Sequence, residues 1–316
     1  TDLTLEGPFK KGYGGSFLVN YRYSTVSLLS KAGVIDLDGP LSYQDAAFKV
    51  VLPTKKAGVF SFFGLGGQSA ASIEDVQADM ISTPSNETIT SEYTEDYDKS
   101  NYLYNYGINH TIGINDKSFI KTTLAYSTNG IDEDVYKIKT TKINDGQGEY
   151  LRDSVGDKVL DYKSRIENST YRGAVTYNNK IDAKNTLQVG TKYAIHGYDN
   201  FISQTKDSTE TMSTLTDFNE NISTLSNFVS LKHRLNENIT LVGGLHNMNV
   251  LYNNKSTIEP RLAVNWQVSN RSSFSAGYGK HSTMESVHNY FAKVKQTDGS
   301  EIEPNKDLDL LKADHY

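Results

Sequence analysis

Residues 101–115, NYLYNYGINHTIGIN, alternate between two kinds of side chain. Tyr102, Tyr104, Tyr106, Ile108, His110, Ile112 and Ile114 share one parity; Leu103, Asn105, Gly107, Asn109, Thr111 and Gly113 share the other. A strand sends successive side chains to opposite faces, so this segment carries one apolar, aromatic face and one small, polar face. The apolar face outlasts the roughly 5–6 residues of an ordinary globular strand. It reaches the ~9–11 residues that a tilted strand needs to cross a bilayer.

Hydropathy averaging hides this kind of signal. The 316-residue chain is 37% hydrophobic with a mean hydropathy of −0.53, and by that measure it reads as water-soluble. No apolar run approaches the ~18 residues of a membrane helix. An alternating barrel strand averages to a neutral value whatever its surroundings. Tyrosine is abundant, 21 residues against 12 Phe and 1 Trp. That excess fits membrane-interface girdles, and it also fits carbohydrate or protein binding. The absence of cysteine excludes disulfides and thiolate metal sites. A net charge of −6 without a basic stripe argues against a nucleic-acid partner. Thr1 opens the chain without a charged-then-apolar signal segment, and DLDLLKADHY closes it inside a strand pattern, so both ends read as cut.

The same alternation recurs in pairs. Residues 1–9 and 16–23 flank KKGYGG; residues 45–52 and 58–67 flank Pro53–Ala57. Pro53 has no N–H to give to a ladder and marks a strand end. Residues 101–115 and 119–127 meet at Asn115–Ser118, where Asn and Asp favour a tight turn. Further pairs are 171–178 with 185–196, a fourth meeting at 236–238, and 258–268 with 273–281. Short turns near 54, 116, 181, 237 and 270 alternate with long polar stretches near 24–42, 68–100, 129–168, 197–222 and 283–308. Only the connection near 252–256 is short where a long one is due. All short turns then lie at one end of the sheet and all long loops at the other, as in a membrane barrel. A soluble up-and-down sheet or a propeller is the competing architecture. It leaves the strand length and the segregated loops unexplained, and no blade repeat is visible.

The run EGPFKKGYGGSFLVNYRYSTVSLLSKAG, with the later stretches IEPRLAVNWQ, SFSAGYGKHS and DLDLLKADHY, resembles the barrel of TonB-dependent outer-membrane receptors of the Bacteroidetes type. The resemblance extends from Glu6 to Tyr316 and rests on strand and corner residues, so it speaks to architecture more than to substrate. It implies an all-β fold, a transmembrane antiparallel β-barrel of ~22 strands with a plug in its lumen. The chain supplies about 12–13 of those strands by its pattern. The family's plug and TonB-contacting segment would precede Thr1, and its closing strands would follow Tyr316. The whole chain, 1–316, is then part of one barrel domain in the bacterial outer membrane. Implied partners are outer-membrane lipid, the TonB complex, and a plug domain or extracellular lipoprotein.

Three groups of residues are candidates for ligand chemistry. Arg22, Lys49, Asn105, Asn109, Lys121, Arg172, Lys192 and Arg261 lie on polar strand faces and are expected to face the lumen. A wet interior holds Lys and Arg at little cost, whereas a lipid-facing one near the midplane costs roughly 2–4 kcal/mol. They either line a translocation path or fill a wet interior. The stretch 73–98 reads as a loop with Glu74, Asp75, Asp79, Glu87, Glu92, Glu95, Asp96 and Asp98 and no Lys or Arg. Carboxylates suit Ca²⁺, but the EF-hand spacing is missing and a solvated acidic loop is the expectation. The seven histidines are scattered without zinc-site spacing. His281 and Glu259-Pro260-Arg261 read as structural, with Pro260 at a strand bend. GLGGQS lacks the helix and acidic partner of a phosphate loop, and no Gly-x-Ser-x-Gly elbow occurs. No cofactor and no enzymatic activity are expected. The leading expectation is energised import of a bulky nutrient by a receptor with ligand-capturing loops. A passive porin-like channel or surface adhesion barrel is the alternative.

Overall fold

The computed structural model describes residues 1–34, 41–81, 89–144, 150–206 and 211–316. Its strands are β1 (Asp2–Pro8), β2 (Ser16–Tyr23), β3 (Leu41–Pro53), β4 (Val59–Ile81), β5 (Ile89–Asn115), β6 (Ser118–Asn144), β7 (Tyr150–Val155) and β8 (Val159–Lys180). They continue as β9 (Asn185–Lys206), β10 (Thr211–Arg234), β11 (Ile239–Val250), β12 (Lys255–Ser269), β13 (Ser272–Thr283), β14 (Val294–Lys295), β15 (Glu301–Ile302) and β16 (Leu311–His315). Two short helices, α1 (Thr25–Lys31) and α2 (Val287–Tyr290), interrupt them. Fourteen strands form one antiparallel sheet in the order β1-β2-β3-β4-β5-β6-β8-β9-β10-β11-β12-β13-β16, with β7 paired to β6 beside this path. The expected class is the observed one: all-β, up-and-down, a wall of barrel type.

Every expected hairpin is present, but the expected long loops are largely strand. β5 and β6 each run for 27 residues, about 90 Å at ~3.3 Å per residue. The stretches 68–81, 89–100, 129–144, 159–168, 197–206 and 211–222 all lie inside strands. In particular, the acidic stretch 73–98 is not a loop: within the described residues it is the long end of β4 and β5. The polar sequence there takes regular strand backbone. Backbone pairing continues there, on one side alone for the ends of β4 and β10, and ion pairs replace apolar packing. Lys99 meets Glu133 at 3.4 Å, Arg165 meets Asp134 at 2.8 Å, and Lys158 meets Asp96 at 2.7 Å. Sheets polar on both faces hold register weakly. Register shifts at Ile73/Val76, Gln77/Asp79, Val135/Tyr136 and Thr214/Thr216 fall in this zone.

The tight turns collect at the opposite end. Gly58 takes φ +78 in the turn between β3 and β4, a conformation that suits glycine. In the turn before β9, Asp182 accepts hydrogen bonds from the backbone N–H groups of Lys184 and Asn185 at 2.7 and 2.8 Å. With the Asn185 side chain as the largest cause, these bonds hold its carboxyl below the usual carboxylate range.

The register assigns every strand residue to one of two faces, called here the Tyr face and the Asn face. The Tyr face bears Tyr106, Tyr126 and Tyr171 in one row, with ring centroids 5.4 and 4.6 Å apart. Its large apolar side chains stand open: Tyr171 is 60% exposed, and Leu124 and Leu262 are each 59% exposed. The total accessible surface is 20566 Å², against about 13,000 Å² for a globular monomer of this mass. The compact core is small and made of Phe218, Ile222, Val250, Tyr290, Phe291 and Leu310.

The apolar band slides along the sheet. The row Leu5–Val19–Phe48–Gly64–Tyr106–Tyr126–Tyr171–Ile195–Ser223 starts inside the band at β1 and has left it at β10. The row Ser118–Asn179–Leu187–Leu231–Gly243–Leu262–Tyr278 starts among turn residues and ends inside the band at β13. The slide is roughly one residue per strand, which at ~3.3 Å rise and ~4.8 Å strand spacing means a tilt of about 35° between strand and band normal.

Candidate functional site

Following the pairing strand by strand puts Arg22, Lys49, Asn105, Asn109, Lys121, Arg172, Lys192 and Arg261 all on the Asn face. Allowing for the slide, Lys49, Lys121 and Arg261 stand near the middle of the apolar band on the other side, and Arg172 and Lys192 stand somewhat nearer the long end. Arg22 lies nearer the long end and is paired with Asp45 at 2.8 Å. Asn109 accepts a 2.7 Å hydrogen bond from the Thr123 hydroxyl, while Asn105 Oδ1 is buried without a partner.

The cations stand among small residues. Lys121 is flanked across the strands by Thr111 and Thr176, Arg172 by Ala125 and Ala194, Lys192 by Ala174 and Ser226. Arg172 and Lys192 are diagonal neighbours on β8 and β9, because Arg172 faces Ala194 and Lys192 faces Ala174. Above them His196 bridges two hydroxyls, Nδ1 to Thr170 Oγ1 at 3.2 Å and Nε2 to Thr224 Oγ1 at 3.3 Å. Lys232, on the same face of β10 opposite Thr186 and Val242, was not singled out in the sequence. Its period-two signal was legible in VSLKHR once the strand register was known.

A second polar group sits on the same face at β11–β12. Glu259 is 2% exposed and accepts hydrogen bonds from Arg261 Nη2 at 2.7 Å, from Thr257 Oγ1 at 3.2 Å, and from Ser282 Oγ; His246 Nδ1 lies 2.9 Å away. Arg261 is thus tied to a buried carboxylate. Pro260 is within β12, opposite Leu245, and β12 pairs with β13 only from Arg261 onward. The missing N–H of Pro260 coincides with the place where β13 leaves its neighbour.

The stretch 283–308, expected as an outward loop, folds back over the Asn face. Tyr290, Phe291 and Leu310 pack on Phe218, Ile222 and Val250, all of which share the Asn-face parity of β10 and β11. Phe291 lies 5.1 Å from Phe218 and 5.4 Å from Tyr252 by ring centroids. Asn253 Nδ2 holds the returning chain through the carbonyls of Lys306 and Leu308 at 3.2 and 3.0 Å. The clue in the sequence was the apolar triplet of Val287, Tyr290 and Phe291 within a polar stretch.

At the long end the carboxylates of β5 are engaged by lysines from neighbouring elements. The Asp96 hydrogen bond raises the Lys158 pKa, and the Asp134 hydrogen bond raises that of Arg165. A hydrogen bond to Glu95 is the first cause pushing Tyr97 up to about 12. Among the described residues, no cluster of three or more His, Asp or Glu side chains is gathered to hold a metal. GLGGQS lies in the interior of β4.

No protein-family model matches the chain, and no curated protein matches it. Among solved structures it is similar to the translocator domain of autotransporter NalP from Neisseria meningitidis, at 10% identity and a TM-score of 0.33, over 88% of this chain and 80% of that one. It is also similar to the siderophore receptor PirA from Pseudomonas aeruginosa, at 13% identity and a TM-score of 0.40, over 94% of this chain and 50% of that one. The CymD monoaromatic hydrocarbon channel is similar at 10% identity and a TM-score of 0.40, over 88% of this chain and 77% of that one. The chain therefore spans half the length of the siderophore receptor and most of the length of the other two.

Proposed function

We propose that this chain is part of the wall of an outer-membrane β-barrel transporter, with the Tyr face in lipid and the Asn face toward a water-filled interior. The observation that carries this reading is the sliding apolar band. A soluble sheet has no cause to shift its apolar face by a residue per strand, whereas a tilted barrel in a flat membrane must do so. From Tyr104 to Ile114 is ten residue steps, about 33 Å of strand and roughly 25 Å of height at a tilt of ~40°, the span of a barrel's lipid band. Tyr21, Tyr104, Tyr193 and Tyr278 edge the band toward the long end; Trp266 and Phe274 edge it toward the short turns, as interfacial girdles do. The mid-height cations all have the other parity. Open strand edges are costly in lipid, so in this reading β1 and β16 pair with further strands of a larger barrel, the ~22-stranded class among them.

The chain has no cysteine, so single cysteines carry spin labels without background. Labels at Ile108→Cys and Val189→Cys should be accessible to oxygen and shielded from a water-soluble nickel relaxer. Labels at Asn109→Cys and Thr176→Cys should show the reverse. Equal accessibility at both parities, or inverted accessibility, refutes the wall.

Energised uptake by a TonB-dependent receptor of the Bacteroidetes type is the finer reading, and the sequence resemblance supports it. Extracellular capture, displacement of a plug by the TonB complex and passage through the lumen would be its steps. Uptake into proteoliposomes with and without TonB coupling tests it, and equal uptake removes the energised step. The infolded segment favours a second reading, a passive channel, because it narrows the interior without a separate plug.

A further inference from the structure

We infer that the Asn face binds a solute carrying two or more anionic oxygen groups, carboxylate or phosphate, at Arg172 and Lys192, with Lys121 a further cation nearer the short turns on the same face. This deepens the proposed function, since it rests on the Asn face lining the aqueous interior. The charge on the face is one-sided. Among the described residues, the Asn face carries no Asp or Glu over 59–71 of β4, 101–113 of β5, 119–131 of β6, 166–178 of β8, 186–200 of β9, 222–234 of β10 or 240–250 of β11. The same zone holds Lys121, Arg172, Lys192, Lys232 and Arg234. The chain as a whole is acidic, with a net charge of −6, so this interior is basic against the composition.

The pattern differs from the basic residues that merely fill a wet interior. Arg22 and Arg261 on the same face each have a carboxylate at 2.8 and 2.7 Å. Lys121, Arg172 and Lys192 have none among the described residues. Arg172 and Lys192 are nevertheless set close, on the β8–β9 diagonal, whereas Lys121 on β6 faces Thr176, four residues along β8 from Arg172. Diagonal neighbours stand about 7–8 Å apart, close enough for one multivalent anion to meet both side chains. Like charges at that distance repel, and an anion between them turns the repulsion into attraction. The arginine offers a planar fork suited to two oxygens of one carboxylate or phosphate, and the lysines supply point charges. The small neighbours Ala125, Ala174, Ala194, Thr176 and Ser226 leave the charged tips uncovered. Just above, the Thr170–His196–Thr224 chain presents hydroxyls. Beyond it Tyr290 and Phe291 pack over the face in the cluster that holds Phe218 and Ile222.

Equilibrium dialysis of the full-length protein in detergent tests this with citrate as the probe and inorganic phosphate as competitor. Citrate should bind, phosphate should compete, and affinity should fall as salt rises from about 50 to about 300 mM. Binding should weaken about tenfold or more in R172Q/K192Q, and survive in the charge-keeping R172K/K192R, which guards against misfolding. Absence of citrate binding to the wild-type protein, or equal binding in R172Q/K192Q, overturns the anion site. Either result leaves the membrane wall standing, because spin-label accessibility reads that separately.

Discussion

Gly58 shows how much one position contributes at a tight turn. Its φ of +78 and the nearness of the Thr111 carbonyl oxygen leave no place for a Cβ. Gly58→Ala should therefore cost about 1–3 kcal/mol, seen as a lower urea midpoint for the protein refolded into detergent or vesicles. An unchanged midpoint would mean that the turn relaxes. Single-residue reading of the sequence worked best at turns: Pro53 ends β3 as expected, and Asn115 caps its turn. At Glu259 it reached only a structural reading. The sequence showed a strand-end pattern, but the partners of this carboxylate come from β11, β12 and β13 together, and only the packed sheet brings His246, Arg261 and Ser282 to it.

At the scale of elements, two outcomes diverge from the pattern in the sequence. Strand pairs were legible wherever one face was apolar, because burial or lipid enforces period two. Beyond the band the strands continue with both faces polar, and nothing periodic remains to announce them. Their pairing depends on neighbours already aligned by the band and on ion pairs such as Lys137–Asp161 at 3.0 Å. The connection between β13 and β16 diverges more. It belongs to the Asn face, where Tyr290 is fully buried against Ile222 and Val250. Tyr290→Ala should remove about 3–5 kcal/mol of local packing. Trypsin should then cleave faster at Lys293, Lys295 and Lys306, while the strands stay resistant. If cleavage of the segment is unchanged, Tyr290 is not its anchor.

For the molecule as a whole, the two faces make a prediction about surroundings. Leu124 sits at mid-band on the Tyr face and Asn109 at similar height on the Asn face, on adjacent paired strands. With lipid on the Tyr face, Leu124→Lys should cost roughly 2–4 kcal/mol in vesicles and Asn109→Lys close to nothing. Equal costs, measured by reversible unfolding in the same vesicles, would contradict the orientation. The anion site belongs to this scale as well. Each of Lys121, Arg172 and Lys192 was visible as a polar-face cation, but the diagonal meeting of Arg172 and Lys192 depends on the register between β8 and β9.

The sequence alone determined the alternation, the hairpin pairs and the parity of every candidate residue, because side-chain direction in a strand is set locally by the backbone. From parity follow the two faces, and from the unequal turn spacings the segregation of the two ends. The tertiary structure decided what depends on distant residues. Register across twelve strands showed that the apolar band slides, pairing carried the strands through the acidic stretch 73–98, and packing drew residues 284–310 onto the Asn face. Those outcomes rest on contacts between segments far apart in the chain, and no local periodicity encodes them.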